Sequence, residues 1–188
     1  RMKSFCDEME ELVLGNEIFQ ARTRNIGVIP GDVALSYGLS GANLRASGVD
    51  WDIRRDANVG LVYDQVDWKV WTHPDGDSFA RFWVRLQETR EACNIIDQLL
   101  GSIPSGPIMA KVPRIIKVPA GEAYVATENP LGEMGYYVVS KGDLTPFRVK
   151  IRSASFSNMS ITPWVLKDVF VPDIISILAS LYFILGDI

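Results

Sequence analysis

The chain has 188 residues, 47% apolar and 22% charged, with 19 basic and 23 acidic side chains and a formal net charge of −4. That length suits one compact domain or a large part of one, and the composition excludes wholesale disorder. The acidic balance argues against nucleic acid, whose phosphates demand clustered Lys and Arg.

Residues 4–14 are predicted helical: Phe5, Met9, Leu12 and Val13 share a face, acidic residues lie outside, and Gly15 stops the run. Asn16 caps a short helix through Thr23. Pro30-Gly31-Asp32 opens another short helical piece that ends near Gly38. Residues 40–60 have no clean period and read as an ordered loop in which Leu44, Val49, Trp51 and Ile53 need burial. The strongest helix is Ser78–Leu100, with Asp77 as N-cap, Gly101 as stop and Pro104 beyond. Phe79, Phe82, Trp83, Leu86, Cys93, Ile96 and Leu100 form its apolar stripe, so Cys93 reads as a small core residue. The other cysteine, Cys6, is 87 positions away, which excludes a disulfide scaffold and any Cys-x-x-Cys site and points to a reducing compartment.

The period then changes. Ala123–Thr127, Tyr136–Ser140 and Phe147–Arg152 are predicted strands of an antiparallel meander, joined by turn signals at Asn129-Pro130 and Lys141-Gly142-Asp143. In the third run Phe147, Val149 and Ile151 face a core, and Arg148, Lys150 and Arg152 form a basic face. The middle run is apolar on both faces, as a central strand covered by helices would be. A final helix is expected from near Pro172 to Gly186. Its apolar stretch, Ile174–Leu185, is 12 residues, whereas spanning a bilayer takes about 20. The chain opens inside a helical pattern and stops directly after an apolar helix, so both ends are expected to be cuts in a longer polypeptide.

The motif scan for chemistry is negative: there is no phosphate loop, no Gly-x-Ser-x-Gly and no His-Glu-x-x-His. His73, the one histidine, reads as a surface turn residue. Asn158-Met159-Ser160 matches a glycosylation triplet that carries no weight in a reducing compartment. Arg45, Arg54 and Arg55 lie close in sequence to Asp50, Asp52 and Asp56. Two readings stand: an ion-paired loop that fixes its neighbours, or the wall of a buried pocket. Glu122, Glu128 and Glu133 sit at strand ends. They either accept turn amides and pair with the Arg148, Lys150 and Arg152 stripe, or handle protons.

Several segments carry a resemblance. They are Arg22-Thr23-x-x-Ile26-Gly27-Val28, Gly38–Gly41 continuing through Leu44-Arg45-Ala46-Ser47-Gly48-Val49-x-Trp51-Asp52 to Arg55, and Gly76–Arg81 with the helix holding Arg85 and Glu88. Pro119–Glu122, Pro130-x-Gly132-Glu133, Lys150-Ile151-Arg152 and Leu185–Ile188 complete them. The whole resembles the quinone-site subunit (the 49 kDa subunit, or D-subunit) of respiratory NADH:quinone oxidoreductase, complex I, which is related to nickel-iron hydrogenase large subunits. The resemblance implies the C-terminal half of that polypeptide, in an α+β fold like the hydrogenase large subunit. Helices over 1–103 would pack with a small antiparallel meander over 118–152 and a final helical segment over 160–188. The surface should then expose an apolar patch where the other half docks.

The resemblance further implies a peripheral component on the cytoplasmic face of the cell membrane. It would form part of a quinone-reduction cavity beside an iron–sulfur cluster held by the neighbouring subunit, in a complex coupled to proton translocation. The implied partners are the iron–sulfur B-subunit, the C-subunit, the membrane-arm H-subunit and quinone as substrate, with no cofactor or metal bound by this segment. The family's last segment lines the cavity, which assigns Ile184, Gly186, Asp187 and Tyr182 to its wall. Ile184 suits a ring or isoprenoid, and Gly186 allows close backbone approach. Arg45, Asp52, Arg54 and Arg152 are assigned to a structural charge network, and no residue to catalysis. Nickel-iron chemistry is not expected: the C-terminal Cys-x-x-Cys pair is missing, and Leu131 stands where hydrogenases place the Arg of Pro-Arg-Gly. Tyr182 replaces an Asp common in complex I members, the Pro107–Pro119 connection is short, and Ser153–Phe156 replaces Ala-Pro-Gly-Phe. These departures keep open a non-catalytic structural paralogue, or a complex fed by a donor other than NADH.

Overall fold

The computed structural model describes residues 1–57 and 61–188. Helix α1 (Met2–Met9) runs into a π-helical turn (Glu10–Leu14) and ends at Gly15. Helix α2 (Glu17–Ala21) starts where Asn16 Oδ1 accepts from the N–H groups of Ile18 and Phe19 at 2.9 and 3.1 Å. Helix α3 (Gly31–Ser36) follows. The stretch expected as loop over 40–60 contains two helices, α4 (Gly41–Arg45) and α5 (Ile53–Asp56); positions 58–60 of it lie outside the described residues. Helices of one turn are shorter than any window that reveals a period, which is why the sequence read them as loop. Leu44 and Ile53 are buried and Val49 packs on the core as expected, but Trp51 is 41% exposed.

Helix α6 (Ser78–Leu100) has the predicted bounds, and Asp77 Oδ1 caps it by accepting from Ala80 N–H at 2.7 Å. Its buried face differs from the predicted stripe. Phe79, Ala80, Arg81, Val84, Gln87 and Ile95 are buried, whereas Ile96 and Leu100 are 54% and 63% exposed and Cys93 is half-buried. The face turned inward carries polar side chains because distant segments supply partners for them. Arg81 donates to the carbonyls of Gly76 and Gly27 and to the hydroxyls of Ser78 and Ser180, at 2.7–3.1 Å.

Strands β1 (Gly121–Asn129), β2 (Gly132–Ser140) and β3 (Arg148–Arg152) form an antiparallel sheet in the order β1-β2-β3. The register sets Val125 opposite Tyr136 and Tyr136 opposite Ile151, which gathers Val125, Tyr136, Val138, Val149 and Ile151 on one face. Contrary to expectation, nothing in the described chain closes over that face: Val125, Tyr136, Val149 and Ile151 are exposed, and Phe147, which precedes β3, is exposed too. Helices α7 (Ala154–Met159), α8 (Thr162–Val165) and α9 (Val171–Leu181) complete the fold. Helix α9 stops before the expected Gly186, because Tyr182 turns left-handed (φ 52°); a 3-10 turn, Leu185–Asp187, follows.

The main core joins Ile29, Ala34, Leu39 and Leu44 to Ile161, Val165, Ile177 and Leu181. It packs the α3–α4 corner onto α8 and α9. The β1–β2 hairpin is held close to α4: a Cβ on Gly41 (φ +63°) would lie 2.5 Å from Gly132 Cα. Asn158, buried rather than available to a glycan, bridges the two, accepting from Ser40 N–H at 3.0 Å and donating to Leu131 C=O at 2.8 Å.

Candidate functional site

Packing α1, α6 and the hairpin around one side leaves an open cavity of about 730 Å³. Phe5, Met9, Val13 and Phe19 line it from α1 to α2, and Phe82, Leu86 and Ala92 line it from α6. The opposite end is polar, with Arg54, Arg85, Glu88 and Glu128 beside Tyr63 and Tyr182. A mostly apolar cleft with a few convergent polar groups is the usual character of a small-molecule site.

The polar end rests on Arg45, which is 1% exposed. Its guanidinium meets three carboxylates: Nε–Glu88 at 2.6 Å, Nη2–Glu128 at 2.9 Å and Nη1–Asp52 at 3.0 Å. Asp52 also holds Arg54 at 2.6 Å and caps α5 through Arg54 N–H. Burial opposes the charge on Arg45, but Glu88, Glu128 and Asp52 outweigh it and raise its proton affinity. Burial likewise works against the Asp52 charge, and Arg54 with Arg45 hold its carboxyl below 3.8. Glu128 goes the other way. Its burial, with Asp52 close by, exceeds the pull of Arg45 and keeps the carboxyl above 4.5. The ion pairs of the Arg/Asp loop fix α4, α5, α6 and β1 together, and Arg54 lines an open cavity rather than a buried pocket.

Arg85 sits beside them without an ion-pair partner among the described residues. Its bonds go to the carbonyls of Arg81, Ser180 and Leu181 and to Asn43 Oδ1, and its guanidinium lies 5.4 Å from the Tyr182 ring. Burial lowers Arg85 to about 10 and Arg81 to about 9, both still protonated at neutral pH. The sequence carried Arg81, Arg85 and Glu88 only as parts of a family motif. Their i, i+4, i+7 spacing, which aligns them on one helix face, was the available signal.

Of the four residues assigned to a cavity wall, only Tyr182 lines this one. Ile184 donates its N–H to Ser155 Oγ at 3.3 Å, and Asp187 accepts from Ser155 N–H at 3.1 Å and from the Ser153 hydroxyl. Those hydrogen bonds outweigh burial and keep the Asp187 carboxyl below 3.8. Among the described residues beyond its chain neighbours, no atom lies within 4 Å of where a Cβ on Gly186 would sit, so none of them requires its small size. Arg152 is also apart from the Arg45 network. It donates to Glu133 C=O at 2.7 Å and Gly38 C=O at 3.0 Å, tying β3 to the turn after α3. Glu133 is its carboxylate partner at 3.6 Å, Glu122 accepts from Tyr137, and Glu128 belongs to Arg45. His73 packs its ring edge-on to Trp83 and accepts from Asp75 N–H at 3.3 Å, as a turn residue does. Among the described residues, no group of three His, Cys, Asp or Glu is placed to hold a metal, and no helix is long and apolar enough to cross a membrane.

The α+β fold, helices packed with a three-stranded antiparallel meander, is that of a 49 kDa-type chain of respiratory complexes. The family described as respiratory-chain NADH dehydrogenase, 49 Kd subunit, matches residues 1–117 and 112–188, and the chain belongs to it. The NADH-quinone oxidoreductase D-subunit of Clostridium beijerinckii is 46% identical over 194 residues, covering 100% of the chain and 52% of that relative. The corresponding D-subunit 1 of Streptomyces coelicolor is 44% identical over 192 residues, covering 100% and 50%. A chain of the membrane-bound sulfane sulfur reductase, an archaeal respiratory membrane complex, superposes with a TM-score of 0.87 at 34% identity, covering 96% of this chain and 51% of that one. The chain spans about half the length of the curated relatives it matches.

Proposed function

We propose that this chain is the C-terminal part of the 49 kDa-type component of a membrane-associated NADH:quinone oxidoreductase, and that the cavity between α1, α6 and the hairpin is part of its quinone-reduction site. The observation that carries this reading is the cavity itself. It has an apolar slot for a ring and isoprenoid tail, closed at one end by Tyr182, Arg85 and Glu128. Reducing a quinone to a quinol takes up two electrons and two protons. The electrons would be supplied by an iron–sulfur cluster of the neighbouring polypeptide. On this wall burial raises the proton affinity of the Glu128 carboxyl, and Arg45 fixes its position. Arg85 and Tyr182 orient a carbonyl oxygen at the polar end. The iron–sulfur B-subunit, the C-subunit and the membrane-arm H-subunit are the partners, proton translocation is the coupled work, and the complex is held at the cytoplasmic face of the membrane.

The test is Leu86→Trp in the assembled complex, which fills the slot without touching the charge cluster. The expected result is a KM for quinone raised about tenfold or more with the complex intact. Unchanged quinone kinetics would overturn the site. The likeness to a sulfane sulfur reductase favours a second reading, in which the same cavity takes a sulfane-sulfur substrate. Assaying the purified complex with a quinone and with a polysulfide separates the two. Activity with neither would support a structural paralogue.

A further inference from the structure

The two cysteines, distant in sequence, are brought to one place by the crossing of α1 and α6. The two helices run antiparallel and are tied by Lys3–Asp97 at 2.6 Å, Asp7–Arg90 at 2.7 Å and Glu10–Arg90 at 2.6 Å. As the α1 position advances, its α6 partner steps back from Asp97 to Arg90. That register sets Cys6 opposite the Glu91–Asn94 turn, and Cys93 is in that turn. Cys6 is fully buried and Cys93 half-buried. Burial and the neighbouring Cys93 thiol both raise the proton affinity of Cys6, as Asp7 does, while Arg90 lowers it. Cys6 also lines the open cavity, next to Met9 and Ala92.

We propose that Cys6 and Cys93 are a reversible disulfide-forming thiol pair that staples α1 to α6 at the rim of the cavity, with a low-molecular-weight disulfide as its oxidant. The more exposed Cys93 thiolate attacks the small disulfide, forming a mixed disulfide and releasing one thiol. The Cys6 thiolate then attacks Cys93 Sγ, forming the protein disulfide and releasing the second thiol. The two protein thiols lose two electrons and two protons, and the small disulfide becomes two thiols. The staple has a structural consequence because the ion pairs that hold α1 are largely exposed and weak. Oxidation fixes the wall carried by Phe5 and Met9, and reduction frees it. This inference does not depend on which substrate the cavity takes.

The experiment uses the full polypeptide in its native complex, treated with oxidised glutathione, denatured, alkylated and digested. The expected result is a linked peptide containing Cys6 and Cys93, released by a reductant, with alkylation lost at both residues together. In Cys6→Ala the expected product is a persistent glutathione adduct on Cys93. Two results would overturn the proposal: a stable adduct on Cys93 of the unmutated protein while Cys6 stays alkylatable, or both thiols remaining free under conditions that fully convert an exposed control thiol. Because the mapping on the unmutated protein decides by itself, failure of the variant to fold leaves the test intact.

Discussion

Arg45 concentrates more of the site's energetics than any other side chain. Three carboxylates converge on a guanidinium excluded from water, and removing it leaves the largely enclosed Glu128 and the partly exposed Glu88 without their ion pair and buried Asp52 with Arg54 alone. Arg45→Ala is therefore expected to cost about 3–5 kcal/mol in urea denaturation of the folded polypeptide. Arg45→Lys, which cannot fork to several carboxylates, should recover only part of that. The same cluster has a pH signature of two signs. Asp52 is held below 3.8, so its pairing stabilises above that value and is lost as pH falls through its lowered one. Glu128 is held above 4.5, so its ionisation is a cost to the folded state at neutral pH, relieved as pH falls through its raised value. On acidification Glu128 should protonate first, with stability flat or rising, and the loss should begin only near the Asp52 range. Carboxyl NMR titration alongside denaturation at stepped pH checks the order. If Asp52 takes its proton before Glu128, this account of the cluster is wrong.

At the scale of elements, the contact between α4 and the hairpin depends on two glycines back to back. Gly41→Ala would place a Cβ 2.5 Å from Gly132 Cα in a left-handed backbone. The expected cost is about 2 kcal/mol or more, read by denaturation, with loss of the Ser40–Glu133 hydrogen bond. Tyr182→Asp should act in the opposite direction. Asp tolerates the left-handed conformation better than Tyr, and it would give Arg85 a carboxylate. A gain of about 0.5–1 kcal/mol is expected, and a loss would mean that Tyr182 stacking on Arg85 matters more than the missing counter-ion. These elements also show what sequence could and could not disclose. Asn16, Asp77 and the Asn129-Pro130 turn were legible because each acts on its own neighbours. The buried face of α6 was not, because Arg81 is inward only by virtue of carbonyls at Gly27 and Gly76 and a hydroxyl at Ser180. The Arg45–Asp52 proximity was visible in one loop, but Glu88 and Glu128 come from 43 and 83 positions away.

At the scale of the molecule, the cavity and the sheet face of Val125, Tyr136, Val149 and Ile151 are apolar surfaces left open among the described residues. Contiguous exposed apolar surface is where proteins dock partners. Strand alternation gathered Val149 and Ile151 on one face, with Phe147 just before the strand. It could not say whether this chain or another covers them, because periodicity reports which side is apolar and not what lies against it. The central claim is that the cavity between α1, α6 and the hairpin belongs to the quinone site of a membrane complex. The most direct measurement is photo-crosslinking of the purified native complex with a photoreactive quinone, followed by mapping of the labelled peptides. The account predicts label on the Phe82–Ala92 stretch of α6 or at Tyr182, abolished by excess unlabelled quinone. Quinone-competed label confined to other polypeptides, with none in this chain, would contradict it.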